Sequence, residues 1–279
     1  MPRTPDTRAY APETLEGWYV HHQLFSIAGD ADTSDLHLLE DTARVSSTRA
    51  ELTQPEAGWT LFARVIGSAA EVMVAHFRPT LDAIGDAQLA FRRLPIARRL
   101  RPVYSFLSIT EAGLYHLTAK LARDAAERGG AVGDEHHTAE LARRAATERD
   151  SAHVQRRLFP TLPEGMPYVC FYPMSKKRET GQNWYTLSLD ERSRLMHDHG
   201  LTGRKYGGRV FQVISGAVGF DAWEWGVTLF AKDPLDFKKL VSEMRFDEAS
   251  SKYADFGAFY VGKVATLQEI EQLVETTVA

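Results

Sequence analysis

A short apolar run that turns abruptly basic, Tyr168 to Arg178, contains two side chains capable of chemistry. Its composition is typical of a β-strand, in which successive side chains point to opposite faces. Every second residue from Cys170 to Lys176 would then share one face, with Tyr172 and Lys176 about 13 Å apart along it. The phenol of Tyr172 can be oxidised and the Lys176 ammonium is a fixed cation. This face therefore fits a large flat ligand that carries negative charge.

Each of these residues alone also has an ordinary structural explanation. Tyr172 can be a half-buried strand tyrosine, and the cations from Lys176 to Arg178 can protect an edge strand from aggregation. Arg156 and Arg157 can be surface cations. Taken together, these cations suit a ligand that bears carboxylates, because Arg and Lys bind carboxylates through charge-assisted hydrogen bonds.

A helix predicted to begin after Ser188 carries the histidine best placed to bind a metal. Ser188 and Glu191 fit a capping box. His199 lies on the apolar stripe of this helix that faces the core. His197 lies about 200° away around the helix and is predicted to face water. A histidine such as His199 is either a hydrogen-bonded core residue or a ligand, and neutral imidazole is a common axial ligand of haem iron. Gly200 is predicted to end the helix there.

Three further motifs have structural and functional interpretations. Gln212 is the polar residue of an apolar strand, so its amide either satisfies a loop or projects into a polar cavity. Trp223-Glu224-Trp225 is interpreted as core packing, and so is Cys170. Adjacent histidines in Asp134-Glu135-His136-His137 point about 100° apart on a helix, so this segment is predicted to be a solvated face rather than a metal site.

The elements that must position these residues repeat the order β-α-β-β-α-β. The first half has predicted strands at 17–27, 59–66, 71–77 and 103–109 and helices at 36–53 and 81–94. The second half has predicted strands at 168–175, 209–217, 223–231 and 257–264 and helices at 188–200, 234–247 and from 267 onward. We therefore predict an α+β protein whose two ferredoxin-like modules form a dimeric α/β-barrel-like subunit.

The predicted domain organisation follows from the same repeat. It comprises a flexible arm at 1–15, an N-terminal module at 16–116, a charged helical connector at 117–160 and a C-terminal module at 161–279. Alanine, arginine and glutamate dominate the connector, which predicts solvated helices between the halves.

The overall composition excludes several functional classes. The 279 residues are 44% hydrophobic and 25% charged, which is typical of a globular protein with a sizeable core. The net charge of -4 does not support general nucleic-acid binding. A single cysteine rules out an internal disulfide framework and a Cys-rich metal site. Because the chain has no run of 18 apolar residues and no signal-peptide core at its polar start, we predict a cytoplasmic protein without membrane insertion.

Longer motifs in the second half resemble a known family. They are YPMSKKR at 172–178, NWY at 183–185, LMHDHGLTGRKYGG at 195–208, DAWEWGVTLFAKDPLDFKKLVSEMRFDEAS at 221–250 and YADFG at 253–257. These stretches closely resemble the coproheme decarboxylases of the chlorite-dismutase-like haem protein family. The resemblance is dense from Arg157 to Val264 and thinner in the N-terminal half, where VYSFLSITEAGLY at 103–115 is still similar.

The resemblance implies a homopentamer with one haem site in the C-terminal module of each subunit. It implies iron-coproporphyrin III (coproheme) as substrate and redox cofactor, with hydrogen peroxide as oxidant. Two propionates would be lost as carbon dioxide through a three-propionate intermediate, leaving vinyl groups and giving haem b in haem biosynthesis. It also implies transient contact with the ferrochelatase that supplies coproheme.

The resemblance also assigns roles by position. His199 matches the family's iron ligand, Tyr172 the tyrosine oxidised to a radical, and Lys176 the lysine beside the second reactive propionate. Gln212 matches the distal glutamine. The propionate or pocket contacts that the resemblance implies are Met174, Ser250, Tyr104 and Arg157, with Arg156 left open as an alternative to Arg157.

Two departures from the wider family refine this expectation. Chlorite dismutases proper carry a distal arginine where Gln212 stands, so chlorite conversion is not expected. Some coproheme decarboxylases rely on a distal histidine, so this chain resembles the glutamine-type branch. The alternatives are a haem-binding or carrier protein without turnover and a peroxidase of small phenols. No residue is identified as the proton acceptor for peroxide activation.

Overall fold

The structure is a computed structural model that describes residues 10–28 and 42–278. Within these ranges the strands are β1 (Thr14–Ile27), β2 (Trp59–Ile66), β3 (Val72–Arg78), β4 (Leu100–Gly113), β5 (Tyr168–Lys176), β6 (Val210–Gly216), β7 (Trp225–Ala231), β8 (Ala254–Phe256) and β9 (Tyr260–Ala265). The helices are α1 (Thr42–Thr53), α2 (Leu81–Arg93), α3 (Tyr115–Glu127), α4 (Glu135–Arg149), α5 (Ala152–Leu158), α6 (Leu189–Arg204), α7 (Leu235–Met244), α8 (Glu248–Ser251) and α9 (Leu267–Val278). No described helix is both long and apolar enough to cross a membrane.

The strands form one antiparallel sheet that closes on itself. Their order is β7-β6-β4-β1-β3-β2-β9-β5, and β5 pairs back to β7. The sheet consists of two four-stranded modules, β4-β1-β3-β2 and β9-β5-β7-β6, which meet through the β2–β9 and β4–β6 pairs. Strand β8 adds a short pairing at the end of β5. The predicted fold class, α+β with two ferredoxin-like modules forming a barrel-like subunit, is confirmed.

Side-chain alternation on the strands separates an interior core from two outer ones. The ring encloses a core to which both modules contribute, with Phe77 and Phe171 completely buried. Helices α2 and α9 pack on the outer face of the first module. The outer face of the second module packs against α7 and includes Cys170 and Tyr172. The predicted alternation along β5 is therefore confirmed, because Phe171 points inward and its neighbours point outward.

Helix α6 corrects one of the predicted boundaries. Its capping box is present, since Ser188 Oγ accepts the Glu191 backbone N–H and the Glu191 carboxylate accepts that of Ser188. The prediction that Gly200 ends the helix is wrong, because the helix continues to Arg204. Its last turn is stabilised against α7, where Lys205 pairs with Glu243. The turn after the helix instead uses Gly208, at φ +77°.

Other boundaries shift by a few residues. Strand β1 begins at Thr14, inside the predicted arm, and residues 1–9 of that arm lie outside the described residues. The first predicted helix is described only from Thr42, because residues 29–41 also lie outside them. The helix predicted over 234–247 ends at Met244, and Asp247 then caps the short helix α8.

Helices α3, α4 and α5 connect the two modules. Helix α3 packs on α6, and α5 packs on β4 and β1. Asp134 caps α4 by accepting the His137 backbone N–H at 2.7 Å. His137 itself is buried, so the prediction that this segment is wholly solvated is wrong at that residue. Among the described residues, no group of three or more His, Cys, Asp or Glu side chains could hold a metal ion.

Three buried histidines make the fold sensitive to acid, and one of them, His21, has its pKa lowered to about 4 by burial. His22 stacks on Phe171 at 4.0 Å and hydrogen-bonds Thr228, whereas His76 hydrogen-bonds Thr60. Burial lowers the pKa of both imidazoles to about 3, compared with about 6.5 in an unfolded chain. Below pH 6.5 the unfolded chain therefore binds protons that the folded protein does not.

We expect the free energy of unfolding to decrease as the pH falls from about 6.5 to 5. The slope for His22 and His76 together approaches about 2.7 kcal/mol per pH unit at the acid end. Urea denaturation at several pH values measures it. Because His21 makes a similar contribution, His22→Phe should reduce the total slope by about a third. His136→Gln, at an exposed histidine, is the control. Equal slopes for His22→Phe and the wild type would contradict this prediction.

Candidate functional site

A cavity of about 660 Å³ lies on the outer face of the second module. Its floor is formed by alternate residues of β5, β6 and β7, including Met174, Ile214 and Val227. Residues of α6 form one wall, and the helices that connect the modules contribute another. The volume lies within the range of about 300–1,000 Å³ that is usual for sites of organic ligands and cofactors.

Tyr172 presents its phenol to this cavity from the centre of β5. The side chain is 5% exposed, and its ring stacks on Phe259 with the centroids 4.4 Å apart. Burial raises the pKa of the Tyr172 phenol, so the group is a neutral hydrogen donor near pH 7. Cys170 shares this face but lies in the core beneath α7, where burial raises the pKa of its thiol to about 12.

Lys176 lines the same cavity at the end of β5. Its ammonium donates to the Ala249 carbonyl at 3.0 Å and lies 4.2 Å from the centroid of the Trp184 ring. Its backbone N–H donates to the buried Glu224 carboxylate at 2.7 Å. Burial lowers the pKa of Lys176 to about 8, although Asp247 and Glu224 favour the charged form. The Lys176 side chain is thus held in one orientation by its neighbours.

The two cations that follow Lys176 do not line the cavity. For Lys177 this is expected, because successive side chains along a strand point to opposite faces. Lys177 hydrogen-bonds Gln182 and lies near Asp255, whereas the Arg178 side chain is 68% exposed. The interpretation of these cations as protection of an edge strand is wrong, because β5 pairs with β7 on one side and with β8 and β9 on the other.

His199 lines the cavity from α6 with one ring nitrogen already engaged. Its Nδ1 lies 3.0 Å from Asp247 Oδ2, and Ser250 Oγ donates to the same carboxylate oxygen at 3.3 Å. Although burial raises the pKa of Asp247, hydrogen bonds from His199 and Ser250 keep it below its usual value. A carboxylate on Nδ1 fixes the ring and leaves Nε2 as the atom with a free lone pair. This is the arrangement expected of a histidine that binds a metal.

Two neighbours of His199 on α6 also border the cavity. His197 is exposed, as predicted, and reaches the cavity from another side of the helix. Gly200 lines the cavity one residue after His199, and the Arg204 guanidinium lies 3.4 Å from the position that a Cβ on Gly200 would occupy. A ligand that approaches the helix at this point therefore meets a cation as well as the backbone.

A second basic position lies opposite the helix. Arg157 on α5 lines the cavity, whereas Arg156 is exposed elsewhere, so the geometry selects Arg157 of the two. Burial lowers the pKa of the Arg157 guanidinium, and the nearby Glu111 carboxylate opposes this shift. Glu111 accepts the indole N–H of Trp225 at 2.7 Å. Trp225 also lines the cavity, so interpreting that tryptophan as core packing alone was wrong.

Gln212 and Met174 project into the cavity from β6 and β5. Gln212 is exposed rather than buried, and of the two interpretations of its amide, projection into a cavity is the one that the geometry supports. The Met174 side chain is half-buried beside Trp225 across the β5–β7 pair.

Tyr104 lies apart from the other predicted contacts. Its ring packs on the interior core, 6.1 Å from the ring of Tyr260, and it does not line the cavity. The tyrosine that borders the cavity is Tyr115, at the start of α3. Tyr104 faces the interior because side chains alternate along β4, and position 104 lies on the side of the strand that packs against the interior core.

Several residues of the site were missed by sequence reasoning. Asp247, Glu111 and Tyr115 are polar or aromatic residues without a distinctive motif, and each reaches the site through contacts distant in sequence. The one available signal was the Asp247–Ser250 spacing, which is typical of a helix N-cap. Such a cap fixes a carboxylate in space, but its partner His199 cannot be read from the cap alone.

The described residues fit an iron porphyrin that carries carboxylates. Ile214 and Val227 provide an apolar floor, and His199 offers an oriented imidazole beside Gly200. Six cationic side chains line the cavity, and they are Lys120, Arg144, Arg157, Lys176, Arg204 and Arg245. Apolar faces with charged edges are the chemical character of such a ligand.

Comparisons with known proteins identify related sequences. The family model described as chlorite dismutase matches residues 37–265. The chain is 39% identical over 270 residues to a coproheme decarboxylase of Staphylococcus carnosus, and the match covers 94% of this chain and 97% of the relative. It is 40% identical over 272 residues to a coproheme decarboxylase of Staphylococcus saprophyticus, covering 94% and 98%.

Solved structures share the fold. A heme-binding protein from Thermus thermophilus superposes with a TM-score of 0.74 at 35% identity, covering 96% of this chain and 98% of that one. A mutant chlorite dismutase from Candidatus Nitrospira defluvii superposes with a TM-score of 0.64 at 17% identity, covering 95% and 97%. The second likeness shows the fold alone.

Proposed function

The chain belongs to the chlorite dismutase family, and from this premise we propose that it is a coproheme decarboxylase of haem biosynthesis. It would use hydrogen peroxide to convert two propionates of coproheme to vinyl groups, giving haem b. The observation that carries the proposal is the placement of Tyr172, Lys176 and His199 around one cavity. A site that only held haem would need the imidazole and the cations but no phenol.

The proposed reaction balances with one peroxide for each propionate. The propionate loses carbon dioxide, two electrons and one β-hydrogen counted as a proton, and its side chain becomes a vinyl group. Peroxide accepts the two electrons and, with one further proton from solvent, leaves as two water molecules. Bound coproheme supplies the iron centre at which peroxide is reduced.

The chain's own residues have separable roles in this proposal. His199 binds the iron through Nε2, and Asp247 orients the imidazole. Tyr172 gives up its phenolic hydrogen atom when oxidised and then takes a hydrogen atom from a propionate β-carbon. Its buried neutral state supports this role, since a phenol, unlike a phenolate, has a hydrogen atom to transfer. Lys176 holds a reacting carboxylate and balances its charge until carbon dioxide leaves.

The remaining cavity residues would bind and position the substrate. Arg157 and Ser250 are proposed propionate contacts, and Met174 is a proposed pocket contact. Gln212 would offer an uncharged amide to peroxide within the cavity. Tyr115 takes the place that the resemblance gives to Tyr104, because it is the one of the two that borders the cavity.

One experiment tests the function against its main alternative. Purified protein is mixed with coproheme and peroxide, and the porphyrin product is weighed by mass spectrometry. Loss of two carboxyl groups supports the enzyme. Intact coproheme would instead support a haem-binding protein without turnover, an alternative favoured by the description of the Thermus relative as heme-binding.

Lys176→Ala is expected to allow the first decarboxylation and slow the second. Removing one partner of a buried charge pair costs on the order of 2–5 kcal/mol, so the second step should slow by roughly 30-fold or more. The three-propionate porphyrin should then accumulate, which mass spectrometry over time detects. Lys177→Ala is the matched control, because Lys177 points away from the cavity. Unchanged progress from coproheme to haem b in Lys176→Ala would exclude this role.

We also propose that five copies of the chain assemble in the cytoplasm and receive coproheme through transient contact with a ferrochelatase. The sequence resemblance supports the assembly, and Phe246, which is 91% exposed, is a candidate for burial against another chain. Light scattering should give a mass about five times the 31.3 kDa of one chain.

A further inference from the structure

One buried carboxyl group in the cavity has no role in the proposed reaction. Glu111 lies on β4, and its Oε1 accepts the Trp225 indole N–H at 2.7 Å. Its Oε2 rests on Gly216 of β6, where an added Cβ would collide with that oxygen. The carboxyl group is therefore fixed between two strands, and only glycine at position 216 leaves room for it.

Charged and polar groups from three further elements face this carboxyl group. Arg157 of α5 is the opposite charge, and Glu16 of β1 is a like charge. Tyr115 of α3 is the neighbouring phenol. Burial raises the pKa of Glu111, the Trp225 hydrogen bond and Arg157 lower it, and Glu16 adds to the rise. The Trp225 indole is therefore the direct hydrogen-bond partner of the carboxylate, and Arg157 acts on it as the opposite charge in the same cavity.

The proposed substrate would bring a second negative charge into this part of the cavity. If a ligand carboxylate binds Arg157, it lies in the same partly desolvated cavity as the Glu111 carboxylate. Like charges so placed favour protonation of one of them. The protein carboxyl group, buried and already hydrogen-bonded, is the one that can become neutral without losing the Trp225 bond, because its first oxygen still accepts.

We propose that Glu111 takes up a proton from solvent when a ligand carboxylate reaches Arg157, and so removes a charge that repels the ligand. The identity of the ligand as coproheme rests on the proposed function. The new O–H bond forms at Oε2, because Oε1 keeps the Trp225 hydrogen bond. The protonation state of Glu111 thus responds to a ligand carboxylate in this part of the cavity.

Titration calorimetry of ferric coproheme, without peroxide, measures this proton uptake. At pH 6.5, in buffers of different ionisation enthalpy, we expect Glu111→Gln to take up fewer protons than the wild type, by several tenths up to about one. Lys176, with its pKa of about 8, is already charged at this pH in both proteins. At pH 9 the variant should bind coproheme on the order of tenfold more tightly, because it lacks the repelling charge.

The control is Glu16→Gln, which removes a neighbouring carboxylate that does not line the cavity. It should keep most of the wild-type proton uptake. Glutamine at position 111 still accepts the Trp225 hydrogen bond, so a purely structural role would leave the proton count unchanged. Equal proton counts for Glu111→Gln and the wild type would overturn the proposal.

A second measurement needs no variant. Infrared difference spectra of the wild type, labelled with ¹³C-glutamate, should gain a protonated carboxyl band when coproheme binds. The absence of that band would equally overturn the proposal. Failure of the proposed function is distinguishable, because coproheme would then bind with proton uptake but remain intact when peroxide is added.

Discussion

Replacing Tyr172 with phenylalanine is expected to leave coproheme bound but to reduce haem b formation with peroxide below about 1% of the wild-type rate. A hundredfold loss corresponds to about 2.7 kcal/mol of transition-state stabilisation. Absorbance titration measures binding, and mass spectrometry of the porphyrin after peroxide addition measures product. The two readings separate a loss of chemistry from a loss of affinity.

The reason lies in what the substitution keeps and removes. Phenylalanine preserves the ring that stacks on Phe259 at 4.4 Å and the packing beneath α7. It removes the hydroxyl group, the one part of this side chain that can transfer a hydrogen atom. The cavity should therefore retain its shape, and the free energy of unfolding should change little compared with the loss of activity.

Tyr168→Phe is the matched control for this experiment. Tyr168 lies on the same strand and the same outward face, four residues earlier, and it packs against the α7 cluster without lining the cavity. It should form haem b at the wild-type rate. Normal conversion of both propionates by Tyr172→Phe would show that the radical role assigned to this tyrosine is wrong.

The fold was largely predictable because its determinants are local. Alternation of apolar residues marked the strands, and the Ser188–Glu191 capping box fixed the start of α6. The end of α6 was not predictable from Gly200, because packing against α7, with Met244 beside Gly203, outweighs the weak helix propensity of a single glycine. Short strand β8 has only three residues and exists through its pairing with β5, so no periodicity could reveal it.

The site was predictable only where its residues share one strand or one helix. Alternation along β5 placed Tyr172 and Lys176 on one face, and helical spacing separated His199 from His197. Their chemistry came from family resemblance rather than from spacing. Tyr104 illustrates the limit, since similarity in a thinly matched segment did not reveal which face of β4 the ring would occupy.

The groups that tune the site come from distant parts of the chain. Asp247 meets His199 48 residues away in sequence, and Glu111 meets Trp225 across 114 residues. Such pairs depend on how helices and strands pack, which local pattern does not encode. The Asp247 contact orients the His199 ring, and the Trp225 contact affects the pKa of Glu111. The chemistry of the site therefore depends on tertiary structure more than the positions of its residues along single strands and helices do.

His199→Ala is expected to remove the protein ligand of the iron. The spectrum of bound ferric coproheme should shift, and haem b formation should fall by about 100-fold or more, because losing only the hydrogen-bond partner of a metal ligand typically costs about 10–100-fold. Absorption and electron paramagnetic resonance spectra of the coproheme complex measure the ligand field directly. Added imidazole should partly restore both the spectrum and the activity, since the vacated space lies beside Gly200.

His197→Ala distinguishes the two histidines that border the cavity. His197 is exposed, whereas Asp247 holds the His199 ring with Nε2 free. The wild-type spectrum should therefore persist in His197→Ala. An unchanged ligand field in His199→Ala, together with a shifted one in His197→Ala, would show that the iron ligand is His197 and not His199. Asp247→Asn should give an intermediate result, because the amide oxygen can still accept from Nδ1 but no longer strengthens the imidazole as a ligand.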